Sequence, residues 1–157
     1  MIAALSLFPA VHADECEQLD SLELPHTEIT ISERIGAGTF AAAGANPSTR
    51  DAFARLPPFC RVAGTRRPTS DSDIRFEVWM PESNWNGKFV AVGNGAWGGA
   101  IPYSAMIAPL AKGFATAATD VGHQGSAVDA SFAVGHPEKL IDFGHRGMHD
   151  MTVAAKS

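Results

Sequence analysis

The sequence predicts an α/β fold in which antiparallel strands lead into a parallel sheet with flanking helices. Three observations carry that expectation. Residues 74–80 alternate apolar and charged side chains, with Ile74, Phe76, Val78 and Met80 on one face, the period-two pattern of a half-buried strand. Asn84-Trp85-Asn86-Gly87 follows at once. Asn-Gly is a strong short hairpin signal, so residues 88–92 are expected to return antiparallel beside 74–80. From Gly93 onward the pattern runs loop, helix, strand, loop, helix, the alternation that builds parallel sheets.

The chain has 157 residues, a net charge of −5, 45% apolar and 18% charged residues. That composition argues against intrinsic disorder. The acidic balance argues against a nucleic-acid partner, which selects basic patches. No apolar run approaches the ~18 residues needed to span a bilayer, so no membrane partner is expected.

The first 13 residues, MIAALSLFPAVHA, are apolar and end in the small-x-small sequence Val11-His12-Ala13, followed by Asp14 and Glu15. This resembles a signal-peptidase site, although the basic start of an export signal is missing. The expectation is a signal-like segment at 1–13 and a secreted or periplasmic protein from 14 on. The alternative, an N-terminal core helix, is opposed by Pro9. Two cysteines, Cys16 and Cys60, suggest one disulfide in an exported chain, closing a loop of roughly 45 residues and stabilising by roughly 4 kcal/mol. Two buried thiols are the alternative. No C-x-x-C occurs, which removes a cysteine zinc site.

Along the chain, 28–31 reads as a short strand and 36–50 as a loop rich in Gly, Ala, Pro and Ser. Residues 51–56 form one helical turn before Pro57-Pro58, and 59–64 a strand. The apolar run 88–92 suggests burial on both faces. Residues 103–112 form a helix stopped by Gly113, 114–119 a strand, and 120–135 a long loop. Pro137 opens a helix with Glu138 in its first turn. Leu140, Gly144, Met148, Met151 and Ala155 share one face of it. That helix runs on without a stop signal, so residues 14–157 are expected to be the N-terminal portion of a larger domain.

The loop Gly93-Asn94-Gly95-Ala96-Trp97-Gly98-Gly99 has two chemical readings. Gly93, Gly95 and Gly98 fit G-x-G-x-x-G between a strand and a helix, with Asp120 as the ribose-binding acid of a dinucleotide site. Against this, about 60 residues and an antiparallel pair come first, Trp97 stands where a pyrophosphate would approach, and export suits a nicotinamide enzyme poorly. The second reading is an oxyanion loop. In α/β-hydrolases antiparallel strands precede the parallel ones, and a glycine-rich loop after an early strand donates a backbone N–H to the developing oxyanion. The Asp120-Val121-Gly122-His123 cluster ends the next strand, where α/β sheets place ligands. Asp120 and His123 are expected to line the site or, preferably, to tie neighbouring loops. Trp97 either walls a phenolic ligand or packs under the loop. His145 and His149 have helical spacing for a metal, but Arg146 stands where a catalytic Glu would be needed. Ser104 and Ser126 lie in no nucleophile elbow.

Five segments then resemble one family: FCRVAGTRRP (59–68), SDIRFEVWMP (72–81), WNGKFVAVGNGAWGG (85–99), GFATAATDVGHQG (113–125) and SFAVGHPEKLIDFGHRGMHDMTVAAK (131–156). Together they resemble the tannase and feruloyl esterase family of α/β-hydrolase serine esterases. The resemblance implies hydrolysis of aromatic carboxylic esters, hydroxybenzoates or hydroxycinnamates, with a small aromatic ester as the substrate. It implies a nucleophilic Ser after a Cys, then an Asp and a His, and a lid domain carrying structural calcium, all beyond this chain. No G-x-S-x-G and no Cys-Ser pair occurs here. What carries over is the oxyanion loop, onto Gly95 and Ala96 as backbone N–H donors. Asn94, Trp97, Asp120 and His123 become candidate substrate contacts. The family's N-terminal cysteine pair matches Cys16 and Cys60. No cofactor or metal is expected within these residues. The competing function is a non-catalytic secreted module binding aromatic or glycan ligands through Trp97 and the glycine loop.

Overall fold

The computed structural model describes residues 13–157. The signal-like segment at 1–13 therefore lies, apart from Ala13, outside the described residues. Five strands form one mixed sheet: β1 (Thr27–Ile35), β2 (Phe59–Arg66), β3 (Ile74–Pro81), β4 (Phe89–Val92) and β5 (Ala115–Thr119), in the order β1-β2-β3-β5-β4. β1, β2, β3 and β5 pair antiparallel in succession, and β4 pairs parallel with β5. The helices are α1 (Ala13–Glu17), α2 (Pro47–Phe53), α3 (Tyr103–Ala111), α4 (Pro137–Ile141) and α5 (Gly147–Ala154).

The sheet is covered on both sides, as the α/β class requires. Phe59, Trp79 and Ala118 face Phe40, Phe53, Leu56, Met106 and Leu110, beneath α2 and α3. Their sequence neighbours Cys60, Val78 and Ala117 face Met151 and Ala154 of α5. β3 is thus buried on both faces rather than one. Its second face carries Glu77 and Trp79, at 2% and 0% exposure, and Arg75 is the position that reaches solvent. Glu77 is accommodated because Arg61 Nη2 and Nε, Trp79 Nε1 and Tyr103 Oη all donate to its carboxylate, at 2.6–3.0 Å. Alternation in sequence cannot show that a charge inside the pattern has buried donors.

The expected pairing of 88–92 with 74–80 is corrected. β5 lies between them, and β4 occupies the outer edge, half-buried with Ala91 exposed rather than buried on both faces. Two physical reasons account for this. β5 is Ala-Thr-Ala-Ala-Thr, and Thr116, Ala117, Ala118 and Thr119 are all fully buried, so small side chains fit the crowded centre. The Asn-Gly segment, meanwhile, packs on the end of α3 instead of closing a two-strand turn. Asn86 N–H donates to Gly113 O at 2.9 Å and Asn86 Nδ2 to Lys112 O at 3.0 Å. Gly113 stops α3 as expected, with φ +78°, and a Cβ there would lie 2.4 Å from Asn84 O.

Two helices also differ from expectation. α2 begins at Pro47, inside the expected loop, because the Asn46 side chain accepts from Thr49 N–H at 2.9 Å and Pro47 takes the first position. The last helix is interrupted by a π turn at Asp142–Arg146. The extra residue rotates the apolar face. Gly147, Asp150, Met151 and Ala154 are buried, while Leu140 is exposed. Cys16 and Cys60 form a disulfide that pins α1 to β2.

Candidate functional site

β4 and β5 are parallel neighbours, so the loops leaving their carboxyl ends lie side by side. The first is the glycine loop, 93–99. Its base is held by Asn94, whose Nδ2 donates to Gly98 O at 2.9 Å and Ala100 O at 3.1 Å. Gly98 N–H closes a turn onto Gly95 O at 3.0 Å. Ala96 sits at φ +48°, a left-handed conformation that a side chain disfavours. The N–H groups of Gly95 and Ala96 donate to no acceptor among the described residues. A Cβ built on Gly93 or Gly95 would meet no atom within 4 Å, so the chain is open on that side.

The second loop begins with Asp120-Val121-Gly122-His123. Asp120 is 2% exposed, and its Oδ1 accepts from Arg75 N–H at 2.9 Å and Gly122 N–H at 3.0 Å. Burial raises its pKa to about 6, against the lowering effect of those two N–H donors. Val121 and Gly122 follow at φ +54° and +87°. The π turn packs directly on them: a Cβ on Gly122 would lie 2.8 Å from Asp142 Cβ, and one on Gly147 would lie 2.9 Å from Val121 Cα. Asp142 is fully buried, and Arg146 Nη1 donates to its Oδ1 at 2.7 Å.

His123 joins the two loops. Its Nε2 lies 2.9 Å from Trp97 O. Its ring stacks on Phe132 at 3.6 Å, and Phe143 meets it edge-on at 5.6 Å. Trp97 packs on Phe143 at 4.9 Å yet remains 38% exposed, so it both covers the cluster and presents an aromatic face. A cavity of about 410 Å³ opens on the far side of the cluster's His123 and Phe132, lined by these two and by Val134, His136 and Lys139 among others.

The structure thus brings Asn94, Gly95, Ala96, Trp97 and His123 into one place. Asp120 serves the loop backbone: its Oδ1 is spent on two N–H groups, which does not suit a ribose-binding acid. The glycine loop also ends four residues before α3 begins, so it is not the tight strand-to-helix turn of a dinucleotide site. His145 and His149 stack on each other at 5.6 Å, and His149 Nδ1 lies 3.0 Å from Asp150 Oδ1. Among the described residues no group of three or more His, Cys, Asp or Glu could hold a metal ion. Phe132, Phe143 and Asp142 were missed in sequence. Phe132 lies in an aperiodic loop, Phe143 is not on the apolar face expected of the last helix, and the π turn leaves no sequence mark.

The family profile described as "Tannase and feruloyl esterase" matches residues 60–157. An uncharacterized esterase of Xanthomonas campestris pv. campestris is 44% identical over 133 residues, covering 85% of this chain and 22% of that protein. This chain belongs to the tannase and feruloyl esterase family. Within that family, a probable feruloyl esterase B-2 of Aspergillus oryzae is 30% identical over 139 residues, covering 87% of this chain and 26% of that protein. The crystal structure of feruloyl esterase B from Aspergillus oryzae superposes with a TM-score of 0.77 at 30% identity, covering 92% of this chain and 28% of that one. The chain therefore spans about a quarter of the length of these tannase and feruloyl esterase relatives.

Proposed function

We propose that this chain is the N-terminal portion of an exported serine carboxylic ester hydrolase acting on hydroxybenzoate or hydroxycinnamate esters. The observation that carries the reading is the pair of N–H groups at Gly95 and Ala96, unpaired among the described residues, on an open loop at the carboxyl end of β4, in a chain of this family. When a nucleophile adds to an ester carbonyl, the oxygen gains charge. Fixed backbone donors then bind it more tightly than they bind the ground state. These residues supply the donors, and Trp97 offers a face to the aromatic acid. The Ser, Asp and His of the triad would come from outside the 157 residues. The disulfide fits an oxidising compartment and so supports export.

The test is to read the coding frame past Ser157 and assay the encoded protein on methyl ferulate and methyl gallate. The expected result is an early Cys-Ser-x-Gly-Gly and turnover by the longer chain, with none by residues 1–157 alone. Robust turnover by residues 1–157 removes the division of labour, and no turnover by the longer chain removes the esterase reading. The cavity lined by His123 and Phe132 supports a second reading, a non-catalytic aromatic-binding module. In that case residues 1–157 bind ferulate or gallate in equilibrium dialysis without hydrolysing an ester.

A further inference from the structure

Three backbone bonds join the glycine loop to the loop after β5. Trp97 N–H donates to Ala127 O at 3.1 Å, Gly99 N–H to Gly125 O at 3.3 Å, and Gly125 N–H to Gly99 O at 3.2 Å. Among the described residues a single side-chain bond joins the same two loops, between His123 Nε2 and Trp97 O. A carbonyl oxygen only accepts, so Nε2 carries the proton. In the neutral ring Nδ1 is then a bare acceptor, and it is buried without a partner among the described residues. His123 is 6% exposed, and its imidazole lies flat on Phe132 with 13° between planes and is wedged against Gly99. A Cβ on Gly99 would lie 2.5 Å from both Cδ2 and Nε2 of the ring.

The two bonds at Trp97 hold both of its peptide groups, one through its N–H and one through its C=O. Ala96, immediately before it, is left at φ +48°, a left-handed conformation that a residue with a side chain disfavours. Without the His123 bond the peptide between Trp97 and Gly98 keeps only the bond from Gly98 N–H to Gly95 O, which lies within the loop and no longer ties that peptide to the loop after β5. Ala96 can then relax, and the N–H groups of Gly95 and Ala96 lose their fixed direction. An oxyanion donor works only when it is oriented before the charge appears.

We propose that His123 is a positioning residue of the esterase. As the neutral Nε2–H tautomer it fixes the Trp97 carbonyl and so holds the Gly95 and Ala96 donors in their reactive arrangement. It takes no part in proton transfer. The proposal rests on the esterase reading above, and the two are separable by experiment. In the full-length enzyme, His123→Phe keeps a flat ring for Phe132 but removes the donor, while His123→Gln keeps an N–H near the position of Nε2.

Expected for His123→Phe is a fall in kcat of about 10- to 100-fold with KM within twofold of wild type. His123→Gln recovers most of kcat. Nitrogen-15 spectra of the wild-type imidazole show one locked Nε2–H tautomer. Unchanged kcat in His123→Phe overturns the proposal. So does a joint loss of kcat, KM and melting temperature that Gln does not rescue, because that is a purely structural role. An Nδ1–H or exchanging tautomer overturns the Trp97 bond itself. A wild-type protein with the locked tautomer but no ester turnover overturns the esterase reading and leaves the loop tie standing.

Discussion

At Asp120, burial outweighs two backbone donors, and the result is a carboxyl with a folded pKa of about 6 against an ordinary 3.8. Between those values the folded chain holds more protons than the unfolded one. Stability therefore falls as pH rises from about 4 to about 6, and the full cost, about 3 kcal/mol, is present at neutral pH. Asp120→Asn keeps an oxygen to accept from Arg75 and Gly122 but cannot ionise. Urea denaturation at several pH values should show that slope flattened, with the variant the more stable at pH 7 and the two alike near pH 4. Gly99 is the opposite kind of residue, one defined by what it lacks. Gly99→Ala places a Cβ 2.5 Å from the His123 ring and 2.7 Å from His123 O, both rigidly held. It should cost about 1–3 kcal/mol in the same assay. The residue types of both positions were legible in sequence, the acid at a strand end and the glycine in a loop. Which atoms they meet was not, because His123 and Gly99 are brought together by parallel neighbours, not by proximity in the chain.

Among the elements, β2, β3 and α3 are joined by one polar network. Glu77 on β3 takes donors from Arg61 on β2 and Tyr103 at the start of α3, as well as from Trp79. Desolvation and the Glu77 charge both raise the Tyr103 pKa, so it stays a phenol and a donor. Glu77→Ala leaves Arg61 without that partner near a largely buried site and should cost about 3–5 kcal/mol. Tyr103→Phe removes one charge-assisted bond and should cost about 1.5–3 kcal/mol. Thermal and urea unfolding of the two variants checks the ranking. Most elements were legible from periodicity, capping and glycine stops: β3, α3 with Gly113, and the helix opened by Pro137. The start of α2 was legible too, in Asn46-Pro47, but the surrounding Gly-Ala-Ser composition masked it. The π turn was not, since a helical wheel assumes one unbroken twist. Its cause is tertiary, the close approach of Asp142 and Gly147 to Val121 and Gly122.

On the scale of the whole molecule, the disulfide ties the first described helix to the second strand across a sequence separation of 44 residues. Cys16→Ser with Cys60→Ser, or reduction of the wild type, should lower stability by roughly 4 kcal/mol in the chain-entropy picture. Melting with and without reductant measures it; an unchanged midpoint would contradict it. The same scale separates what the chain writes down from what packing chooses. The sequence by itself determined the α/β class, the cysteine pair, the family and the glycine loop, because each is written in local pattern or in long motifs such as GHPEK and TDVGH. Only the tertiary structure decided that β5, not β4, lies against β3, that β3 is covered on both faces, and that His123 closes onto Trp97. Strand order depends on which side chains fit between two covered layers, and a run of Ala and Thr acquires that meaning only once Trp79 and Met151 stand on either side of it.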